Sequence, residues 1–243
     1  MERQMFCYQC EQTAGCSGCT GNTGVCGKKA DTAALQDELT GALIGLARTV
    51  DGRETGQETD DLVLEGLFTT VTNVNFNNET ITDLIQRVRR EKKRLSPGCA
   101  GCGSPCGKAE EYPMERLWNA DADIRSLKSL ILFGIRGMAA YAYHAAVLGY
   151  RDARINAFFY KALFAIGEDW VMEDLLPIVL EVGEVNLDCM ALLDRANTET
   201  FGNPRPVQVS LTVEKGPFIV ISGHDLYDLK LLLEQTAGKG INI

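Results

Sequence analysis

Eight of the nine cysteines in this 243-residue chain fall into two short clusters, and this crowding limits what the chain can fold into. The first cluster contains Cys7, Cys10, Cys16, Cys19 and Cys26, and the second contains Cys99, Cys102 and Cys106. Glycines stand between the cysteines of the first cluster. Because glycine enters positive φ without steric cost, a short loop can turn several thiolates toward one centre. The pattern predicts a metal-binding loop at the start of the fold.

The surroundings of the chain are expected to keep these cysteines reduced. Residues 1–7 contain no apolar segment before the first cysteine, so the sequence predicts no secretory signal peptide and a cytoplasmic location. Clustered cytoplasmic thiols are more often metal ligands or redox groups than structural disulfides. The most apolar stretch, residues 131–150, is interrupted by Arg136 and His144, which argues against a membrane-spanning segment.

The charge of the chain argues against one class of partner. A formal net charge of −9 would repel the phosphates of a nucleic acid, so the sequence predicts no nucleic-acid binding. A local basic run at residues 87–94 is interpreted as the solvated face of a helix. The alternative is a surface that docks an acidic redox partner.

Hydrophobic periodicity predicts a mainly helical chain. The predicted helices run from a cap at Asp31 to about residue 52, and then over residues 59–71, 79–95, 121–149, 152–166 and 169–197. Pro177 is expected to kink or interrupt the last of them, because proline removes a backbone donor. Amphipathic helices joined by short connections indicate helical bundles.

The character of the sequence changes after a linker-like stretch at residues 202–206. The apolar run 217–221 predicts a buried strand, leucines at helical spacing from Leu226 predict a helix, and residues 241–243 predict the start of a second strand. We therefore expect helical bundles in residues 1–203 and the beginning of a parallel α/β domain in residues 204–243. Because a two-stranded unit could hardly fold alone, the chain is expected to be part of a longer protein.

Cysteine thiolates bind both iron–sulfur clusters and zinc, so the residue types alone leave both open. Taken as the four ligands, Cys7, Cys10, Cys19 and Cys26 are separated by two, eight and six residues. This choice leaves Cys16 over, and spacing alone also allows a ligand set that includes Cys16. An iron–sulfur cluster is favoured over zinc.

Several stretches of the chain resemble one family. The segments FCYQCEQT at residues 6–13, GCT at 18–20 and GVCGK at 24–28 resemble the amino-terminal signature of the hybrid cluster proteins, also called prismane proteins. Segments at residues 119–128, 139–144, 182–186 and 220–226 resemble later parts of the same family in the same order. The resemblance covers essentially the whole chain.

The resemblance implies a fold and two metal centres. It implies an all-helical amino-terminal domain followed by Rossmann-like α/β domains, which gives the fold prediction of a mainly α chain with the beginning of a Rossmann-like domain. Cys7, Cys10, Cys19 and Cys26 would hold an electron-input cluster, [4Fe-4S] in preference to [2Fe-2S]. His224 would be a ligand of a hybrid iron–sulfur–oxygen cluster. The remaining ligands of that cluster come later in the family's chain, so we expect this chain to hold the first cluster alone.

The same resemblance implies that the parent protein is a hydroxylamine reductase. The reaction converts NH2OH, two electrons and two protons into NH3 and H2O, with nitric oxide as a second small substrate and a redox protein as electron donor. Two alternatives come from other classes. One is a non-catalytic electron-transfer or redox-sensing module, and the other is a zinc-stabilised interaction domain.

The other cysteines have no ligand role assigned by the resemblance. Cys99, Cys102 and Cys106 could complete a metal site with Cys16, and Cys102 with Cys106 could act as a dithiol pair. A structural loop with reduced thiols is favoured. Cys189 lies mid-helix and is expected to be a buried structural cysteine.

Overall fold

The computed structural model describes residues 5–10, 18–71, 74–96, 111–223 and 225–243, and these form eight helices. The helices are α1 Ala30–Val50, α2 Gln57–Thr69, α3 Asn78–Leu95, α4 Glu115–Trp118, α5 Ala122–Val147, α6 Ala153–Gly167, α7 Met172–Phe201 and α8 Leu226–Thr236. The predicted mainly helical class is confirmed, and the periodicity predicts all of these helices except the short α4.

The first helix begins two residues earlier than the sequence predicts. Its N-cap is Lys29, while Asp31 lies in the first turn and accepts a hydrogen bond from the Asn78 side chain at 2.9 Å. The prediction that Asp31 caps α1 is therefore wrong, although a carboxylate in the first turn still favours the helix. The helix ends where predicted, at Asp51, whose φ of 47° is left-handed.

The chain divides into two compact units, Met1–Leu193 and Asp194–Ile243, and the predicted domain boundary after residue 203 stays a prediction. In the first unit α1 is central, since it packs against α3 and α6, while α2 packs against α5. Leu39, Leu43 and Leu46 of α1 are completely buried. Burial of each such side chain contributes about 2 kcal/mol to folding.

The basic run in α3 forms ion pairs within the chain. The pairs are Arg87 with Glu65, Arg89 with Glu38 and Glu111, and Arg94 with Glu91. Much of the positive charge is thus neutralised by neighbouring carboxylates. This agrees with the interpretation of the run as a helix face.

One helix in the described part of the chain, Ala122–Val147, is long and apolar enough to cross a membrane by length and composition. Within the fold, however, α5 packs against α2 and α6 and buries Ile131 and Ile135. It also carries the buried charged side chains Lys128 and Arg136. Since the core helix of a globular protein meets the same criteria, its length and composition are weak evidence for a membrane span.

The helix α7 continues through Pro177, so this proline does not interrupt it, and the alternative of a kink at Pro177 stays a prediction. Pro177 lies near the start of the helix, where its missing N–H removes a single backbone bond to the carbonyl of Glu173. One lost bond so close to the helix end is tolerated.

The first part of α7 packs closely against α5. A Cβ placed on Gly134 would lie 2.5 Å from Cγ1 of Val182, so glycine is needed for this approach. Cys189 is completely buried, with its Sγ 3.4 Å from the carbonyl oxygen of Met138. The prediction of a buried structural cysteine is confirmed.

The second unit contains an isolated parallel bridge between Phe218 and Asn242. The Ile219 N–H donates to the Asn242 carbonyl at 2.9 Å, and the Asn242 N–H donates to the Pro217 carbonyl at 2.9 Å. Helix α8 lies between these segments in the chain, which is the predicted β, α, β order. The described residues form no strand longer than this bridge, so the Rossmann-like domain stays a prediction.

Candidate metal centre at the amino-terminal cysteines

Two of the predicted ligands lie directly opposite each other. The Cys7 N–H donates to the Cys19 carbonyl at 3.1 Å, and the Cys19 N–H donates to the Cys7 carbonyl at 2.8 Å, which makes an antiparallel bridge. Directly opposed residues project to the same face of such a pair, with Cβ atoms about 5 Å apart. Gly18 permits the approach, because its φ is 87° and a Cβ there would lie 3.0 Å from the Phe6 ring.

Cys26 lies in a tight turn beside this bridge. The Gly27 N–H donates to the Gly24 carbonyl at 2.9 Å, and the Gly24 N–H donates to the Lys28 carbonyl at 2.8 Å. A Cβ placed on Gly24 would lie 3.5 Å from both the Cys26 Sγ and the Met5 methyl group.

Met5 belongs to the same buried cluster as Cys7. It packs there with Ala33, and the partly buried Cys19 lies against the cluster. The turn that carries Cys26 is therefore next to the bridge that carries Cys7 and Cys19.

Helix α4 covers the loop with an aromatic contact. The Trp118 ring centroid lies 6.2 Å from that of Phe6 and 5.2 Å from that of Tyr8. Phe6 and Tyr8 are the two sequence neighbours of Cys7, so one indole anchors both sides of this cysteine. Such aromatic contacts add about 1 kcal/mol each beyond the area they bury.

The described cysteines are free thiols. Cys7 is buried, and Cys10, Cys19 and Cys26 are partly exposed. Among the described residues, no group of three or more Cys, His, Asp or Glu side chains could hold a metal ion, so the four-cysteine ligand set stays a prediction. Five predicted or candidate groups lie outside the described residues: Cys16, Cys99, Cys102, Cys106 and His224.

A buried cation stands next to the innermost thiol. Lys28 is 2% exposed, and its Nζ lies 3.8 Å from the Cys7 Sγ and 3.2 Å from the Gln9 Oε1. Gln9 is also buried, and its Nε2 donates to the Asp37 Oδ1 at 2.9 Å. Side-chain contacts therefore run without a break from Cys7 through Lys28 and Gln9 to Asp37 on α1.

Arg136 of α5 is a second buried cation, at 4% exposure. Its Nη2 donates to the Thr40 Oγ1 at 2.8 Å, while Nε and Nη1 have no partner among the described residues. Burial lowers the pKa of the guanidinium to about 10, and the charges of Asp37 and Cys7 oppose this shift. Thr40 lies one helical turn after Asp37 on α1, so Arg136 lies beside the α1 end of the contacts that lead from Cys7 to Asp37.

Sequence reasoning missed both cations as part of the site. Lys28 is part of the GVCGK segment and Arg136 is a charge inside the most apolar stretch, but neither pattern predicts the contact of Lys28 with Cys7 or that of Arg136 with Thr40. Lys28 and Arg136 are more than a hundred residues apart in the sequence. No local pattern reports such a tertiary arrangement.

The electrostatics of this region suit an anionic group. Burial raises the pKa of the Cys7 thiol, which the positive charge of Lys28 opposes. Burial also raises the pKa of Asp37 to about 6, against the Gln9 hydrogen bond and the charge of Arg136. Two buried cations therefore lie in a region whose anionic partners, the Cys7 thiol and the Asp37 carboxyl, are both disfavoured as charges by burial. A metal centre held by cysteine thiolates carries net negative charge, so the residues fit such a group.

We expect the variant Asp37→Asn to lose part of the pH dependence of stability. The pKa of an aspartate in an unfolded chain is about 3.9, whereas that of Asp37 in the folded protein is about 6. Between these values the folded state binds more protons, so the free energy of unfolding falls as the pH rises from about 4 to about 6. Two pKa units correspond to about 3 kcal/mol, which is the upper limit for this residue.

Urea unfolding of the metal-free protein between pH 4 and pH 7 measures this effect. Asparagine keeps an acceptor for Gln9 without the charge, so the fall in stability should be smaller in the variant. Asp123→Asn, at an exposed position of α5, is the control for loss of one negative charge. Equal slopes in the original protein and Asp37→Asn would contradict the prediction.

A cavity of about 480 Å³ opens beside Asp37, between α1, α3 and residues 111–115. Arg89 holds one wall in place, since its guanidinium binds both carboxylate oxygens of Glu111 at 2.6 and 2.8 Å. On the same wall, the Tyr112 N–H donates to the Gly41 carbonyl at 3.2 Å. These contacts fix the segment that leads into α4 against α1.

Comparison with known proteins gives a consistent set of relatives. A model described as the Prismane/CO dehydrogenase family matches residues 5–243. The chain is 43% identical to a hydroxylamine reductase of Methanocella arvoryzae over 98% of its length. It is 42% identical to one of Porphyromonas gingivalis over 100% of its length, and 41% identical to one of Desulfitobacterium hafniense over 98%. The chain spans about half of these relatives, which are covered to 48%, 48% and 47% of their own lengths.

Proposed function

Because the chain belongs to the Prismane/CO dehydrogenase family, we propose that it supplies the electron-input iron–sulfur centre of a hydroxylamine reductase. The relatives that carry this name support the activity. The observation on the chain itself that carries the proposal is the buried ammonium of Lys28 at 3.8 Å from the Cys7 thiol, within a loop of free cysteines.

Under this proposal Cys7, Cys10, Cys19 and Cys26 hold the cluster, as [4Fe-4S] in preference to [2Fe-2S]. The backbone bridge between Cys7 and Cys19 and the adjacent turn at Cys26 support a shared centre. An iron–sulfur cluster supplies one-electron transfer at a potential set by its surroundings.

The residues around the loop have separable tasks. The rings of Phe6 and Tyr8 pack against Trp118 and hold the loop on either side of Cys7 against α4. Cys10, Cys19 and Cys26 are partly exposed, which leaves a side from which a donor protein can approach. We propose that the electron donor is a redox protein that docks on this side of the loop.

The proposed reaction converts NH2OH, two electrons and two protons into NH3 and H2O, with nitric oxide as a second small substrate. His224 would be a ligand of a hybrid iron–sulfur–oxygen cluster. The protein would act in the cytoplasm, without a nucleic-acid partner.

Anaerobic purification followed by iron, sulfide and zinc analysis tests the cluster. We expect equal amounts of iron and sulfide, about four of each per chain for [4Fe-4S] and about two for [2Fe-2S], and an electron paramagnetic resonance signal after reduction. A colourless protein that contains zinc alone would contradict the proposal and support a zinc-stabilised interaction domain.

Hydroxylamine consumption tests the activity. The product of the gene that contains this sequence should convert hydroxylamine into ammonia with a reduced viologen dye as electron source. An iron–sulfur protein without such turnover would instead be an electron-transfer or redox-sensing module.

A further inference from the structure

We propose that Lys28 and Arg136 set the reduction potential of the amino-terminal metal centre and so act as positioning residues for electron input. The inference rests on the proposed function, because it requires an iron–sulfur centre at Cys7. Neither Lys28 nor Arg136 belongs to the proposed ligand set, and both would act on the centre through their positive charge.

The burial of the Lys28 ammonium group is unusual for a lysine. Lysine is almost never fully buried unless its charge is paired, and Lys28 is 2% exposed. Among the described residues its Nζ contacts the Cys7 Sγ and the Gln9 Oε1, and the Asp37 carboxyl lies one side chain further away, beyond Gln9. A buried charge costs several kcal/mol unless a counter-charge is close to it. The position therefore calls for negative charge at or beside the Cys7 sulfur.

Arg136 brings a second unsatisfied cation to the same region from α5. Its Nε and Nη1 lack hydrogen-bond partners within the described parts of the chain, although the side chain is 4% exposed. Each unpaired buried donor costs about 1–3 kcal/mol. The charges of both Arg136 and Lys28 act on the carboxyl of Asp37, so one negative charge serves two buried cations.

Two cations close to a cluster favour its reduced state. Reduction by one electron adds one negative charge, and a fixed positive charge such as Lys28, 3.8 Å from the Cys7 Sγ, stabilises that added charge more strongly in a buried site than in water. Charge and hydrogen bonds near the sulfurs are established determinants of cluster potential. Removal of either cation should therefore make reduction less favourable and lower the midpoint potential.

The test is a redox titration of the chain carrying its cluster, followed by electron paramagnetic resonance. Lys28→Met keeps the length of the side chain and removes the charge. We expect at least a tenfold loss in the one-electron reduction equilibrium, which is a shift of about 59 mV to more negative potential. Arg136→Met should shift the potential in the same direction.

Two controls separate charge from structure. Lys29→Met removes the same charge from the exposed neighbouring position and should change the equilibrium less than twofold. Lys28→Arg keeps the charge at the buried position and should stay close to the original potential. If Lys28→Met does not retain the cluster, the comparison is made with Arg136→Met, at the second cation.

The outcomes distinguish this inference from the proposed function. An original protein without iron and sulfide would contradict the proposed function. A cluster whose potential is the same in Lys28→Met, Arg136→Met and the original protein would overturn the inference and leave the proposed function intact. A shift in Lys28→Arg as large as that in Lys28→Met would also overturn it, because packing rather than charge would then set the potential.

Discussion

Replacement of Cys19 by serine is expected to abolish the iron–sulfur signal of this chain. The hydroxyl of serine is a far poorer ligand for iron than a thiolate, while its size is similar. The hydrogen bonds that join residue 19 to Cys7 come from the backbone, so Cys19→Ser should keep this bridge. A lost signal would therefore report the loss of a ligand rather than of the fold. Iron and sulfide content should fall together with the signal.

The matched control is Cys16→Ser, because Cys16 is left over in the preferred ligand set. This variant should keep iron, sulfide and the reduced signal. If Cys16→Ser destroys the cluster and Cys19→Ser leaves it intact, the assigned ligand set is wrong. Far-ultraviolet circular dichroism of both variants checks that the helices are unchanged.

Replacement of Gly41 by alanine is expected to produce a large loss of stability. A Cβ at this position would lie 2.3 Å from the carbonyl oxygen of Tyr112, which is backbone and cannot swing aside. The Tyr112 N–H also donates to the Gly41 carbonyl, so separation of the two segments breaks this bond. We expect a decrease of about 3 kcal/mol in the free energy of unfolding, measured by urea denaturation.

The control for this prediction is Gly137→Ala on α5. Gly137 is helical and exposed, and a Cβ there meets nothing within 4 Å. Alanine should therefore stabilise the protein by up to about 1 kcal/mol through helix propensity. Equal stability of Gly41→Ala and the original protein would contradict the close contact between α1 and the segment before α4.

Local patterns in the sequence account for most of the helices but not for the surroundings of the site. The leucine spacing of α1 predicts its core face, because periodicity and burial are linked along one helix. Helix limits are harder to predict, since α1 begins after Lys29 without a side-chain cap and α7 continues through Pro177. The cysteines could be identified from residue type and spacing.

The charges around the cysteines could not be predicted in the same way. Gln9 links Lys28 to Asp37, and Arg136 of α5 reaches Thr40 of α1, so these contacts are tertiary and their separations in the sequence follow no repeat. Gly41 is a similar case, since its neighbour Tyr112 is far away in the chain. The importance of such residues becomes clear only from interatomic distances in the folded protein.

The bridge between Cys7 and Cys19 also joins the cysteine loop to the helical core. Its two hydrogen bonds are made by backbone atoms, and Cys7 packs with Met5 and with Ala33 of α1 in one buried cluster. Fixing the backbone of one residue costs about 1–2 kcal/mol of conformational entropy, and burial against α1 offsets part of that cost. A substitution at Ala33 should therefore disturb the geometry of the cysteines as well as the packing of the helix.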